Sequence, residues 1–252
     1  MIGGFFSRRK KKDHEPILSG LKLDLHSHLI PGIDDGSKSF QESLEILRMM
    51  SELGYQKVIT TPHVMADAYQ NSTQTILEGL HALQDAVAIA GIDIEIQAAA
   101  EYYFDEELVS RLDKGDILTV NNEYLLFETS YFSKPLNFEE LVFDMMAKGY
   151  KALLAHPERY RYISDPRDEF GRMKELGIYF QLDINSLGEY YGRQAKEHAQ
   201  LLSDWGMIDF LGSDVHHKRQ ASFLKKVFAN PSYHVLLQNN QILNDTLNYK
   251  GT

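Results

Sequence analysis

The stretch Leu21-Lys-Leu-Asp-Leu-His-Ser-His28 carries the reading of the fold. Leu21–Leu25 is a β-type run, and it delivers two histidines at its end. In an extended chain alternate side chains share a face, so His26 and His28 point the same way and can chelate one metal ion. A His-x-His pair is a weak signal alone; a strand leading into it gives it weight. Six further β-type runs follow: Lys57–Thr60, Ile92–Ala98, Tyr124–Phe127, Ala152–Ala155, Tyr179–Ile184 and Asp209–Leu211.

Helical patterns separate these runs. Ser39-Phe-Gln-Glu42 reads as a capping box, with Ser39 as N-cap and Glu42 reaching back. It opens an amphipathic segment through Leu44, Leu47, Met50 and Leu53 that Gly54 closes. Asn137-Phe-Glu-Glu140 opens another, ended by Gly149. Thr73–Ala90, Asp105–Leu112, Pro166–Leu176, Glu189–Trp205 and Ser232–Leu247 are the remaining expected helices. Seven strands alternating with helices predict parallel βα units in an α/β fold. A closed or nearly closed barrel is the expectation, and an open doubly wound sheet is the alternative. Barrels of this kind carry their active sites at the C-terminal strand ends.

Those strand ends are rich in donors. The second run ends in Thr60-Thr-Pro-His63, and the third in Ala98-Ala-Ala-Glu101, whose small residues leave room for a carboxylate. The fourth ends in Glu128, the fifth in His156-Pro-Glu-Arg159, and the seventh in Ser213-Asp214-Val-His216. The sixth offers only Asp183 and Asn185. Singly, each has an ordinary reading: a hydrogen-bonded histidine, a surface carboxylate or, for Asp34-Asp35-Gly36, a turn. Together they form a rim of groups that are costly to bury without a cation. Five histidines (His26, His28, His63, His156, His216) and four acids (Asp35, Glu101, Glu128, Asp214) make up the set. One metal takes about four to six donors, so the set implies two or three metals sharing a bridging carboxylate. Imidazole with carboxylate suits manganese, iron or zinc. His14, His81, His198 and His234 fall in the tail or in helices, and His217 should point away from His216.

Composition narrows the class. The 252 residues fit one large domain, 43% hydrophobic and 25% charged, as in ordinary globular proteins. The absence of cysteine excludes a thiol nucleophile, a disulfide and a thiolate–zinc site. A net charge of −10 argues against a general nucleic-acid binder. No run is long and apolar enough for a membrane span, and the start does not read as a signal peptide, so a cytoplasmic location is expected. Residues 1–20 read as a tail, and 21–252 as the catalytic domain. Ile2, Phe5 and Phe6 beside Arg8-Arg-Lys-Lys-Lys12 allow two readings: a solvated tail, or a segment that associates weakly with an anionic membrane surface.

In order, Asp24-Leu-His-Ser-His28, Thr61-Pro-His63, Glu101, His156-Pro and Ser213-Asp-Val-His216 resemble the PHP superfamily, named for polymerase and histidinol phosphatase. The resemblance covers about residues 21–219. Within it, His26-Ser-His28, Asp34-Asp-Gly36, Glu101-Tyr-Tyr103 and His156-Pro-Glu-Arg-Tyr160 are similar to the bacterial manganese-dependent protein-tyrosine phosphatases of capsule and exopolysaccharide operons. Aspartate at Asp35 and glutamate at Glu128, where other branches carry histidine, suit that branch.

The resemblance implies a distorted (βα)7 TIM-like barrel of the PHP type and a trinuclear site. His26, His28, Glu101 and Asp214 would hold one metal. Glu101 would bridge to a second, held also by Glu128 and His156. Asp35, His63 and His216 would hold the third. The implied reaction is hydrolysis of a phosphotyrosine monoester by a metal-activated water attacking in line, with a bacterial tyrosine kinase as protein partner. Arg159 and Arg219 are candidate clamps for the phosphoryl oxygens, Arg159 the better placed of the two. Phenolate leaves readily, so no general acid is assigned. The rivals are another PHP phosphoesterase, such as a histidinol-phosphate phosphatase or a nuclease, and an inactive module that keeps the fold.

Overall fold

A computed structural model describes residues 17–247. Nine parallel strands are present among them: β1 (Leu23–Asp24), β2 (Lys57–Thr60), β3 (His63–Val64), β4 (Glu95–Ala98), β5 (Glu101–Tyr103), β6 (Tyr124–Glu128), β7 (Lys151–Ala155), β8 (Tyr179–Asp183) and β9 (Phe210–Gly212). They form one sheet of order β1-β2-β4 and another of order β3-β5-β6-β7-β8-β9. A parallel bridge between Ser27 and Val215 joins the first strand's extension to the last strand's. The parallel sheets therefore curl into a half-barrel, consistent with a distorted TIM-like barrel.

The two additional strands lie just beyond the ends of the expected runs Lys57–Thr60 and Ile92–Ala98. Thr61-Pro62 separates β2 from β3, because proline offers no N–H to a ladder. Ala99-Ala100 separates β4 from β5. Each interruption falls just before a predicted ligand, His63 or Glu101, and those two residues are register partners.

Eight α-helices accompany the strands: α1 (Phe40–Glu52), α2 (Thr73–Ala90), α3 (Glu106–Lys114), α4 (Phe138–Ala147), α5 (Pro166–Glu175), α6 (Arg193–Asp204), α7 (Lys218–Phe228) and α8 (Pro231–Asn239). Ser39 caps α1 by accepting from the Glu42 N–H at 3.3 Å. The reciprocal half of the expected box is displaced, since Glu42 Oε2 accepts from Lys38 N at 3.0 Å.

Three expectations need correction. The helix expected from Glu189 starts at Arg193, because a 3-10 turn (Ile184–Gly188) and Gly192 at φ 94° precede it. The segment expected as Ser232–Leu247 is α8 followed by a separate 3-10 turn, Asn244–Thr246, whose Asn244 side chain bonds Leu23 and Leu211. The helix α7 was not anticipated, although Ala221, Leu224, Val227 and Phe228 give it a buried stripe.

Alternation in the strands builds the site's floor. Leu125 and Phe127 of β6 face the helices, while Tyr124 and Leu126 face inward with Leu153, Ala155 and Phe210. Burying such side chains contributes roughly 1.5–3 kcal/mol each. Continuing the inward parity of β6 past Leu126 gives Glu128. In β8 the same parity gives Tyr179, Gln181 and then Asp183. The interior is thus apolar below and polar at the C-terminal rim.

Candidate metal centre

Backbone pairing fixes the first two histidines. His28 N donates to Val215 O at 3.0 Å, and Asp214 N donates to His26 O at 2.8 Å. Ser27 between them donates its hydroxyl to Ile59 O at 3.2 Å. The extended path brings His26 Nε2 and His28 Nε2 to 3.2 Å from each other. Glycine is required beside them: a Cβ on Gly212 would lie 2.6 Å from both His26 Cβ and Gln181 Nε2.

Partners on the far ring nitrogens set the tautomers. His26 Nδ1 donates to Gln181 Oε1 at 2.7 Å, and His28 Nδ1 donates to Asp34 Oδ2 at 2.8 Å. Both partners accept there, so the neutral rings carry their hydrogens on Nδ1 and leave Nε2 lone pairs facing inward. Those lone pairs face carboxylates. His26 Nε2 lies 3.2 Å from both Glu101 Oε2 and Asp214 Oδ1. His28 Nε2 lies 3.4 Å and 3.2 Å from the same two oxygens. Electron pairs converging in this way repel unless protons or metal cations lie between them.

The other donors extend the cluster. His63 Nδ1 is 3.1 Å from Glu101 Oε2 and 3.4 Å from Glu128 Oε1, while its Nε2 is 3.4 Å from Asp35 Oδ1. His216 Nε2 reaches the same Asp35 oxygen at 3.4 Å. His156 Nε2 is 3.1 Å from Glu101 Oε1 and 3.7 Å from Glu128 Oε2. All nine predicted donors therefore meet at one rim. Four groupings are compact enough to share an ion: His28, Asp35, His63 and His216; His26, His28 and Asp214; His26, Glu101 and His156; and His63, Glu101 and Glu128. Buried Glu101 Oε2, Asp214 Oδ1 and His63 Nδ1 lack hydrogen-bond partners, as atoms reserved for a cation would. The donor set fits metal ions.

Charge behaviour agrees. Burial alone would lower the His26 pKa, but the Glu101 and Asp214 carboxylates override it and raise it to about 9. Burial alone would raise Glu101, yet His26 and His63 hold it well below the usual carboxylate range. Burial and the nearby Glu101 raise Glu128 to about 8. Burial, reinforced by Arg159, lowers His156 to about 4. The pocket demands positive charge at Glu101 and Asp214.

Two donors sit on unusual backbone. His156 has φ 34° and Asp214 φ 45°, left-handed conformations that cost a residue with a side chain about 1–3 kcal/mol. Their hydrogen bonds hold them there. His156 N donates to Gln181 O at 2.7 Å, and the residue before Asp214, Ser213, donates N and Oγ to Asp24 at 2.8 Å each.

The arginines separate. Arg159 Nη1 donates to Asp214 Oδ2 at 2.5 Å and lies 3.6 Å from Asp183 Oδ2. Its guanidinium carbon is 4.0 Å from the Tyr191 ring centre and 4.9 Å from that of Tyr131. Arg219 is exposed on the first turn of α7, 5.9 Å from the Tyr190 ring centre. It makes no hydrogen bond or ion pair with the nine donors among the described residues. His217 is likewise exposed outside the cluster, 3.9 Å from Glu42.

Sequence reasoning passed over several supporting residues. Asp34, read as part of a turn, is buried against His28. Gln181, the orienting partner of His26, was signalled by a polar residue between Phe180 and Leu182 in a buried strand. Nothing local signalled Tyr131 and Tyr191, which approach Arg159 only through the fold.

A family model described as capsular polysaccharide synthesis, CpsB/CapC, matches residues 22–228. The chain belongs to this CpsB/CapC family. It is 28% identical over 230 residues to the tyrosine-protein phosphatase YwqE of Bacillus subtilis, covering 88% of this chain and 91% of YwqE. It is 23% identical over 201 residues to the tyrosine-protein phosphatase CpsB of Streptococcus pneumoniae, covering 77% and 83%. A solved structure from work on YwqE and CpsB, described as unique metal-dependent tyrosine phosphatases, superposes with a TM-score of 0.75 at 27% identity. That match spans 90% of this chain and 95% of the other. The lactonase Lmo2620 of Listeria monocytogenes, 11% identical with a TM-score of 0.51, shares the fold alone.

Proposed function

We propose that the chain is a metal-dependent protein-tyrosine phosphatase, a phosphoric monoester hydrolase acting in capsule or exopolysaccharide synthesis. The observation that carries this is the convergence of nine imidazole and carboxylate donors beside Arg159, in a member of a family whose named relatives are tyrosine phosphatases. The substrate is a phosphotyrosine protein, and a bacterial tyrosine kinase is the partner we infer. The barrel counts as (βα)7 if β2–β3 and β4–β5 are each one interrupted strand. We take residues 21–252 as the catalytic domain. The proposed tail, residues 1–20, lies largely outside the described residues, as does its basic cluster, on which the two readings of a solvated tail and a weak membrane-surface contact turn. Among the described residues, no helix is long and apolar enough to cross a membrane.

We assign His26, His28, Glu101 and Asp214 to a first metal. Glu101 also serves a second with Glu128 and His156, and Asp35, His63 and His216 serve a third. Two or three divalent ions, manganese in our reading and iron or zinc as alternatives, would supply Lewis acidity and an activated water. The protein's own groups do the rest. Arg159 offers guanidinium N–H groups to phosphoryl oxygens, and its stacking between Tyr131 and Tyr191 fixes the fork before substrate arrives. Asp214 anchors that fork from the metal side. Arg219, exposed on α7 beside Tyr190 and without a bond to the donors, is the weaker candidate clamp.

The test is hydrolysis by chelator-stripped protein reloaded with manganese, iron, zinc or magnesium. Phosphotyrosine peptide should be turned over well ahead of phosphoserine peptide and histidinol phosphate, and only after reloading. Preferential turnover of histidinol phosphate would reassign the enzyme within the PHP group.

A further inference from the structure

Two tyrosines stand at the mouth of the cluster without a part in holding ions. Tyr69 lies parallel to the His63 imidazole, with ring centres 5.5 Å apart and planes inclined by 15°. Tyr103 follows Glu101 by two residues on β5, so it shares that carboxylate's face, and it is the register partner of Glu128. Both are half-buried.

Tyr103 is held in β5, and the loop that carries Tyr69 is held firmly. Tyr69 O accepts from Met65 N at 3.0 Å and from Asn71 N at 2.8 Å. The Asn71 side chain donates to His63 O at 2.8 Å and to Ile33 O at 2.9 Å, and Asn71 O accepts from Arg111 Nη2 at 2.9 Å. Ala66 N donates to Asp105 Oδ2 at 2.8 Å, tying the Tyr69 loop to the segment just beyond Tyr103. A ring held in place can stack on a ligand with little ordering cost.

Geometry also assigns the tyrosines to different tasks. Tyr131 and Tyr191 are committed to the Arg159 guanidinium. Tyr69 and Tyr103 lie on the side of His63, Glu101 and Glu128 instead. A phosphoryl group held by the donor cluster on the His63 side would bring its ester substituent within reach of Tyr69 and Tyr103.

We infer that Tyr69 and Tyr103 form an aryl-binding wall, making the site selective for aryl over alkyl phosphate monoesters. This rests on the phosphotyrosine reading and deepens it by naming the two side chains that select the aryl group. Offset or edge-on aromatic contacts are favourable beyond their buried area, enough for a selectivity of roughly three- to tenfold. An alkyl phosphate such as phosphoserine gains none of it.

The experiment measures binding of phenylphosphonate and methylphosphonate to the metal-loaded protein by calorimetry, with metal content determined for every variant. Phenylphosphonate should bind the wild type more tightly. Tyr69→Ala and Tyr103→Ala should each reduce the phenyl-to-methyl ratio about threefold or more while leaving methylphosphonate affinity and metal content unchanged. Tyr69→Phe should keep the ratio. Equal binding of the two phosphonates by the wild type, or a parallel loss of both in the alanine variants, overturns the wall. Phosphotyrosine turnover is measured separately on the same wild-type preparation. Its absence alongside an intact phenyl preference refutes the phosphatase assignment and leaves the aryl site standing.

Discussion

Asp34→Asn isolates the contribution of a residue that touches no metal position directly. Three donors converge on the Asp34 carboxylate: His28 Nδ1 at 2.8 Å and His63 N at 3.2 Å on Oδ2, and Gly36 N at 2.9 Å on Oδ1. Asparagine has the same shape but a single oxygen. If that oxygen takes the Oδ2 position, the new NH2 faces the Gly36 N–H. If the amide turns over, its NH2 faces His28 and His63. His28 can then relieve the clash only by accepting at Nδ1, which moves its hydrogen to Nε2 and blocks the atom directed at Glu101 and Asp214. Space offers no escape, since even a Cβ on Gly36 would come within 2.2 Å of His28 O. Loss of an orienting partner of this kind lowers metal affinity about 10–100-fold. That corresponds to about 1.4–2.7 kcal/mol, in line with a lost hydrogen bond to a charged group at roughly 1.5–3 kcal/mol. Metal affinity is read by competition with a chromophoric chelator, and the fold by circular dichroism. Activity at saturating metal should recover most of its wild-type level, because the direct donors are intact. An affinity within about threefold of wild type would refute the tautomer argument.

Glu101→Gln should cost more than one ion per chain in elemental analysis, because its oxygens face His26, His28, His63 and His156 together; loss of one ion or none would remove it as a bridge. Arg159→Lys should lower kcat/KM on a phosphotyrosine peptide about 10²-fold, since an ammonium cannot present the stacked fork; full retention would end the clamp assignment. Metal loading at pH 7 should release protons, because His26, raised to about 9 in the metal-free chain, must give up its Nε2 proton to bind. Apparent affinity therefore weakens as pH falls below about 9. Calorimetry in buffers of different ionisation heat counts the protons, and zero release would contradict the assigned protonation.

Eight of the nine clustered residues were legible in the sequence because each follows a short β-type run, whereas Asp35 sits in a loop that reads locally as a turn, and the alternation of a strand fixes which residues share a face. His26 with His28, Glu128 after Leu126, and Asp214 before His216 follow from local pattern alone. The α/β class was legible for the same reason, as was the first helix from Ser39. Helix limits near Gly192 and Asn240 were not, because 3-10 turns and long-range bonds from Asn240 and Asn244 decide them. Pairing between distant donors was equally beyond local pattern. Glu101 meets His156 across 55 residues, and Ser213 meets Asp24 across 189. Asp34 looked like a turn residue because turn propensity is local, whereas its role depends on the ring 2.8 Å away. The sequence by itself determined which chemistry is available: imidazoles and carboxylates at strand ends, with no thiol. Only the tertiary structure decided which nitrogen of each histidine faces inward and which arginine reaches the cluster. Those depend on angles and distances between segments that no residue spacing encodes.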